Sequence, residues 1–506
     1  MLAPLVKSTL TINNIIPDSN IHQNSDNSLE IVYNNSLYSF SADKLFKIPD
    51  TTLTNFYPYP GSSTSINPGG TIIPVVLNDI QYSLGSAELT KTIIRSGTML
   101  LSISSTIKGR VDFNYKIPSM TKTANPLDTF NVTVTIPAAT STANGVYSSS
   151  FDLSGYTVNL TGSNGTNVNT MTTSYGAIVS PVIHGGYTTT INAGDNVKIS
   201  NSFISIVPQY AKGYFGSTIT NVNDSTNFSL FRHIISGNLN LQNVNIGLSI
   251  ENSVGADARI TINNLLSVNS RTGIARSLTS TNSVIGSPIN INRAVDNNGN
   301  VAASTYSVSF TPANSNILAF VDNLPDKLVY KMNFEINPLG NVSGNNDFIY
   351  YDKLINTNLN MTIPLSLIAN NLTMADTMNF TMNANLANVN SGNLYLYFEN
   401  GFPFTAQAQL FLMNGSSIIT DSLISSPNVI TPPPLDINSI CIGQSATKLT
   451  IPLDAGKLSE LRAAKKMYVK IKFNTANQPN YIKIYSFYQL NLRVVGDFNY
   501  TVGKKN

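Results

Sequence analysis

A chain of 506 residues with 42% apolar content is long enough for several cores and too apolar to stay disordered. Only 11% of its residues are charged, the net charge is +3, and no basic run inside the chain exceeds Lys465-Lys466. The counterion-displacing surface of a nucleic-acid binder is therefore missing. A single cysteine, Cys441, excludes an internal disulfide framework, and no apolar run is long enough for a membrane-spanning helix.

Asn, Ser and Thr fill the polar positions. Their short side chains compete with helical backbone hydrogen bonds but suit turns, and Thr suits strands, so the composition predicts an all-β chain with polar loops. Leu10 to Asn13 and Ser28 to Phe40 read as strands, Ser41 to Phe46 as one helical turn, and Tyr57 to Gly70, broken by Pro and Gly, as loop. From Leu89 onward strands follow quickly. Phe130, Val132, Val134 and Ile136 alternate strictly with polar residues, as on a sheet with one dry and one wet face. Residues 166–200 are polar and loosely patterned and read as an extended loop or weak edge strands. Tyr330 to Ile336 alternates again, and Thr431-Pro432-Pro433-Pro434 is a stiff spacer. One convincing helix spans Asp454 to Lys466, with Asp454 as N-cap and Leu458 and Leu461 on its apolar stripe. Two strands, at Val469 to Phe473 and Tyr488 to Val494, close the chain.

One pattern occurs twice. Asn243-Val244-Asn245 leads into a strand ending Glu251-Asn252, and a second strand follows a short turn. Asn388-Val389-Asn390 likewise leads to Glu399-Asn400 and a second strand from Ala406. Such recurrence argues for repeated β units. The expected architecture is several β-sandwich units in tandem: an N-terminal β region at 1–88, a β domain at 89–217, a first sandwich repeat at 218–326, and a second at 327–506 carrying the helix.

Catalytic constellations are not evident. His22, His184 and His233 have no spaced partners for zinc. Cys441 lies between isoleucines and reads as a small buried hydrophobe. Asp296-Asn297-Asn298-Gly299-Asn300 resembles a fragment of a calcium loop without its closing Glu, and Asp347 and Asp352 read as solvated loop carboxylates rather than a glycosidase pair. The expectation is a non-enzymatic protein with no cofactor and no metal. Pro208 to Gly216 is the most individual segment. Its aromatics pack into an interface or form a recognition loop, and Tyr210, Tyr214 and Phe215 are the candidate partner-binding residues.

Several phrases, Leu2 to Lys7, Ile48 to Thr52, Pro208 to Gly216, Gly286 to Ile291 and Glu399 to Pro403, resemble a group of large all-β lipoproteins of the Bacteroidota cell envelope. The resemblance implies export, a place at the cell surface or outer membrane, and a lipid-bearing Cys just upstream of the segment that begins here. The two repeat copies also loosely resemble a late-embryogenesis-abundant-type β-sandwich, a binding or structural module. The expected function is an envelope surface protein acting through protein–protein contacts, an accessory subunit of an outer-membrane assembly, with membrane association only through that anchor. The alternatives are a β module binding a lipid or other apolar ligand, and a viral shell or appendage subunit.

Overall fold

The computed structural model describes residues 2–500 apart from 13–15, 17, 41–47, 60, 182–187, 380–388 and 425–427. The turn expected at Ser41 to Phe46 and His184 lie outside the described residues. The fold is all-β, built from antiparallel sheets in face-to-face pairs.

The chain does not finish one sandwich before starting the next. β1 (Leu2–Leu10) and β2 (Leu29–Phe40) belong to different sandwiches. Eight strands then complete a first unit: β3 (Thr51–Pro58), β4 (Thr71–Gln81), β5 (Glu88–Ser105), β6 (Val111–Lys122), β7 (Asn125–Ile136), β8 (Gly145–Asp152), β9 (Thr170–Val179) and β10 (Asn196–Tyr214). β11 (Thr218–Asn227) returns to the unit of β2, and β12 (Ile234–Leu241) visits the unit of β1. The second unit is completed by β13 (Asn245–Asn252), β14 (Ala258–Asn269), β15 (Ile274–Ser277), β16 (Ser304–Phe310), helix α1 (Ile317–Asp322), β17 (Lys327–Ile336) and β19 (Ile355–Pro364). Between these last two lies the short β18 (Asp347–Tyr350). The third unit is completed by β20 (Ser366–Asn379), β21 (Val389–Asn400), β22 (Phe404–Met413), β23 (Ile419–Ser422), β24 (Ser445–Leu453), α2 (Ala455–Ala463), β25 (Lys466–Thr475) and β26 (Leu490–Tyr500).

Each unit has the same topology. Counting eight strands per unit in chain order, one sheet runs first–eighth–third–sixth: β3-β10-β5-β8, β2-β19-β13-β16 and β1-β26-β21-β24. The facing sheet runs second–seventh–fourth–fifth: β4-β9-β6-β7, β11-β17-β14-β15 and β20-β25-β22-β23. Two four-stranded sheets with this double Greek-key order are a jelly roll. The protein is therefore three jelly rolls, nested. The first is inserted between the first and second strands of the second roll. The second, with its insert, lies between the first and second strands of the third. In the first roll a short strand at Tyr156–Asn159 pairs with both β5 and β6 and joins the two sheets along one edge.

The sheets run across the divisions read from the sequence. β4 and β9 pair across 88/89, and β17 pairs with β11 and β14 across 326/327. The residues read as an extended loop or weak edge strands at 166–200 include β9, a central strand that is almost wholly buried. Its hydroxyls are satisfied locally, so it carries polar residues into the interior without an apolar signature: Thr172 Oγ1 donates to Asp79 and Thr173 Oγ1 to the Asn78 carbonyl. Tyr57 and Pro58, read as loop, end strand β3. Helix α2 starts where the sequence places it, with the Asp454 carboxylate accepting from the Lys457 amide at 2.8 Å, but it ends at Ala463, and Lys466, read as its last residue, opens β25. Helix α1 occupies the same position in the second roll, between the sixth and seventh strands.

The recurring Glu-Asn is the corner where the third strand ends in one sheet and the fourth begins in the other. Asn252, fully buried, donates to the carbonyls of Ala256 (3.0 Å) and Asn292 (2.9 Å) and accepts from the Val254 amide (2.9 Å). Asn400 repeats the pattern with Phe404 O (2.9 Å), Thr431 O (3.0 Å) and Phe402 N (2.9 Å). In the first roll the same place is taken by buried Ser105, whose hydroxyl accepts from the Ile107 amide. Two residues past each corner an apolar side chain (Ile107, Val254 or Phe402) plugs the sandwich end.

Because a carboxamide both donates twice and accepts at this corner, replacing it leaves three buried backbone groups short of partners. Asn400→Ala is expected to lower the unfolding free energy of the third roll by roughly 2–4 kcal/mol. Asn400→Asp is expected to cost as much, since it places acceptors against two carbonyls. Denaturant unfolding followed by tyrosine fluorescence checks both, and an effect below about 1 kcal/mol for either contradicts the role assigned to the corner.

Candidate functional site

The three aromatics chosen from the sequence sit where the first roll passes into the second. Strand β10 leads over Phe215-Gly216-Ser217 directly into β11, and β18 of the second roll pairs antiparallel with the end of β10, Tyr210 opposite Tyr350 and Gly213 opposite Asp347. One strand of the second roll thereby extends a sheet of the first. Gly213 is required there: its φ is +148°, and a Cβ would meet the Glu88 carbonyl oxygen at 2.2 Å.

Phe215 does not present a contact surface. It is only 1% exposed, because its backbone turns into the joint and its amide donates to the Asp347 carboxylate at 3.3 Å. Tyr210 and Tyr214 are half-buried. Tyr210 packs on Tyr350 with ring centroids 4.8 Å apart, and the Tyr214 hydroxyl is 3.1 Å from that of Ser217. Of the two readings weighed for this segment, packing in an interface describes Phe215, the interface being internal.

The chemistry of the joint centres on Asp347, fully buried and far from a solvated loop carboxylate. It accepts from Asn337 Nδ2 at 2.7 Å and from Phe215 N, and it faces the Arg293 guanidinium at 3.5 Å. Arg293 is shared with Asp257 at 2.8 Å. A buried carboxylate with a cation and two amide donors is a satisfied structural ion pair. Asp352 is exposed. Asp296 closes a turn by accepting from the Gly299 amide at 2.7 Å and also accepts from the Tyr350 hydroxyl at 3.0 Å. Among the described residues no three His, Cys, Asp or Glu side chains come together as a metal site. His22 lies 3.1 Å from Glu30, and His233 accepts from Arg232. Cys441 is half-buried rather than buried, and burial pushes its thiol up to about 11, away from the thiolate a nucleophile needs.

The second and third rolls meet over Phe228, Leu230 and Phe231, all buried, and over backbone hydrogen bonds from Leu29 to Ile484 and from Ile484 to Leu365. The apolar cavity behind this joint, lined by residues including Leu10, Ile31, Phe231 and Phe473, holds about 40 Å³ of free space. That admits a water molecule or so and is far too small for an acyl chain. At the same joint Asp322, the last residue of α1, accepts from the Leu241 amide of β12 at 3.3 Å. Burial raises its carboxyl from 3.8 to about 6, the amide offsetting only part of the shift.

No protein-family model matches the chain, and no curated protein matches it. Among solved structures it is similar to a protein described as secreted from Parabacteroides distasonis, at 10% identity over 99% of both chains, with a TM-score of 0.28. It is also similar to the naturally occurring empty particle of cowpea mosaic virus, at 10% identity over 58% of this chain and 92% of that one, with a TM-score of 0.15. A third similar structure, described under the triple jelly roll fold and turret assembly of an archaeal virus, is 10% identical over 91% of this chain and 98% of that one, with a TM-score of 0.11. Scores this low carry no argument about kinship or function.

Asp322 makes the second joint sensitive to pH. Its folded pKa lies above its unfolded one, so its contribution favours folding in acid and is lost as pH rises from about 4 to about 6. Asp322→Asn keeps an acceptor for the Leu241 amide and removes the charge. The variant is expected to be more stable at pH 7 by on the order of 1 kcal/mol, a value discounted because the group is partly solvated, and no more stable at pH 4. Thermal melts at the two pH values check it, and an equal gain at both would remove the ionisation from the explanation.

Proposed function

We propose that this chain is a structural subunit of a multi-copy protein shell or of an appendage on one. The observation that carries the reading is the nested threading of three jelly rolls. Jelly rolls serve as shell, lectin and cupin modules, so the fold class alone decides nothing. Here, however, the modules are not beads on a linker. β18 extends a sheet of the first roll, β12 extends a sheet of the third, and one buried apolar cluster includes residues of all three. Such a body transmits position rather than hinging, which suits a building block.

Two further features fit. A net charge of +3 on a surface of uncharged polar residues lets copies stand side by side with little mutual repulsion. Large apolar residues also stand exposed on both edge strands of one sheet of the first roll: Val75 (79%) and Leu77 (63%) on β4, and Leu127 (92%) on β7. Unlike edges of one sheet, each with exposed apolar residues, can meet head to tail between copies, the geometry of a heterologous contact. The envelope reading, in which single copies engage an outer-membrane partner, is the competing outcome.

Light scattering and negative-stain electron microscopy of the purified chain are expected to show regular assemblies. Val75→Lys with Leu77→Lys is expected to leave a monomer with an unchanged melting temperature. A chain that stays monomeric at all concentrations, and is recovered from its source bound to a membrane protein, would replace this reading with the envelope one.

A further inference from the structure

The outer face of the third roll holds an open groove of about 570 Å³. Its floor is the solvent side of β20, β25 and β22, where Lys472 stands in register with Thr373 and Gln407, and Lys470 with Ala375 and Gln409. Side chains two apart on a strand share a face, so both ammonium groups and both carboxamides project the same way. Among the described residues none of these four has a hydrogen-bond or ion-pair partner. Two cations thus stand side by side between amides on this face.

The groove is built by features the jelly-roll scheme does not require. One wall is β12, a ninth strand that the chain supplies by leaving the second roll and returning to it. Its register against β20 slips on both sides of Ser236. Gly237 has a φ of +91°, and a Cβ there would meet the Asn371 carbonyl oxygen at 2.1 Å. Asn371 itself is left-handed at φ 51°, its amide donating to Asn474 Oδ1 at 2.8 Å. Bulges and left-handed non-glycine residues bend an edge strand out of the sheet and are often kept where a site needs them. The opposite wall is Asn428, whose carboxamide stands in for a strand by donating to the Ala408 carbonyl and accepting from its amide. Across the four strands from β12 to β22 the groove is roughly 14 Å wide, given about 4.8 Å between strands.

We infer that this groove binds an acidic oligosaccharide, a chain of sugars bearing carboxylates. Lys470 and Lys472 supply the countercharge. Gln407 and Gln409, each able to donate and accept, suit ring and chain hydroxyls, which do both. Next along the same face, Phe411 and Tyr468 lie with ring centroids 5.9 Å apart, an apolar step for a sugar face. A nucleic acid fits less well: the groove has no arginine, and beyond Tyr468 the same strand face adds only Lys466, whose ammonium already donates to the Ser417 hydroxyl at 2.8 Å. The inference stands apart from the shell reading, because the groove is complete within one copy.

The test is isothermal titration of the full chain with tetragalacturonate, neutral maltotetraose and a single-stranded oligonucleotide. Tetragalacturonate is expected to bind, more weakly as salt rises. Lys470→Gln with Lys472→Gln is expected to weaken it at least tenfold, while the paired Lys→Arg replacement keeps it, which separates loss of charge from loss of fold. Gln407→Ala with Gln409→Ala is expected to weaken it severalfold at unchanged melting temperature. The inference is overturned by absence of tetragalacturonate binding at millimolar concentration, by equal binding of maltotetraose, by indifference to the Lys→Gln pair, or by tighter binding of the oligonucleotide. A failed titration leaves the assembly experiment untouched, and a failed assembly leaves this one.

Discussion

When a strand ends in one sheet and the chain must begin again in the sheet facing it, the backbone at the corner loses both ladders at once. Amides and carbonyls that a hairpin would satisfy are turned toward a closed interior, where an unmade hydrogen bond costs about 1–3 kcal/mol. The buried carboxamides of Asn252 and Asn400 answer this with the same three hydrogen bonds each, and Ser105 answers it with one. These corners close the sandwich ends, seat the plugs Val254, Phe402 and Ile107, and set the angle at which the fourth strand leaves. Everything built on the sheets, including both joints and the groove, depends on them.

The second constraint is topological. Nesting the rolls means that the outermost one cannot close until its first strand, β1, meets β26 at the other end of the chain, with Leu2 opposite Asp497. Such long-range pairing is entropically demanding before any contact is made. It is matched by joints that are themselves sheet: β18 beside β10, and β12 beside β20. The carboxylate buried at the first joint, Asp347, is paired with Arg293 and Asn337, as a group in an interior is.

Sequence and structure differ most at Phe215 and at 166–200, and the reasons are alike. An aromatic among glycines reads equally as packed in an interface or displayed to a partner when its neighbours are unknown. Phe215 is buried because β18, more than a hundred residues later, lies alongside β10. β9 reads as loop or weak edge strand because its Thr and Ser residues carry no apolar period, yet it is central and buried, with Asp79 and the Asn78 carbonyl receiving the hydroxyls of Thr172 and Thr173. Sheets cross the divisions read from the sequence for the same cause: composition is local, and these sheets are assembled from segments far apart in the chain.

By itself the sequence determined what short-range physics governs. Period-two alternation marked strands such as β7 and β17. Scarce charge with abundant Asn, Ser and Thr marked an all-β chain. The Asp454 carboxylate marked the start of α2, and the two Glu-Asn endings marked equivalent corners before their geometry was known. Only the tertiary structure decided which strands are neighbours, and with that the nesting, the third copy of the roll, the burial of Phe215, and the meeting of Lys470, Lys472 and Gln407 in one groove. The physical reason is that a strand's pattern states which of its faces is dry but not which partner dries it. That choice is made by hydrogen-bond ladders and packing between segments hundreds of residues apart.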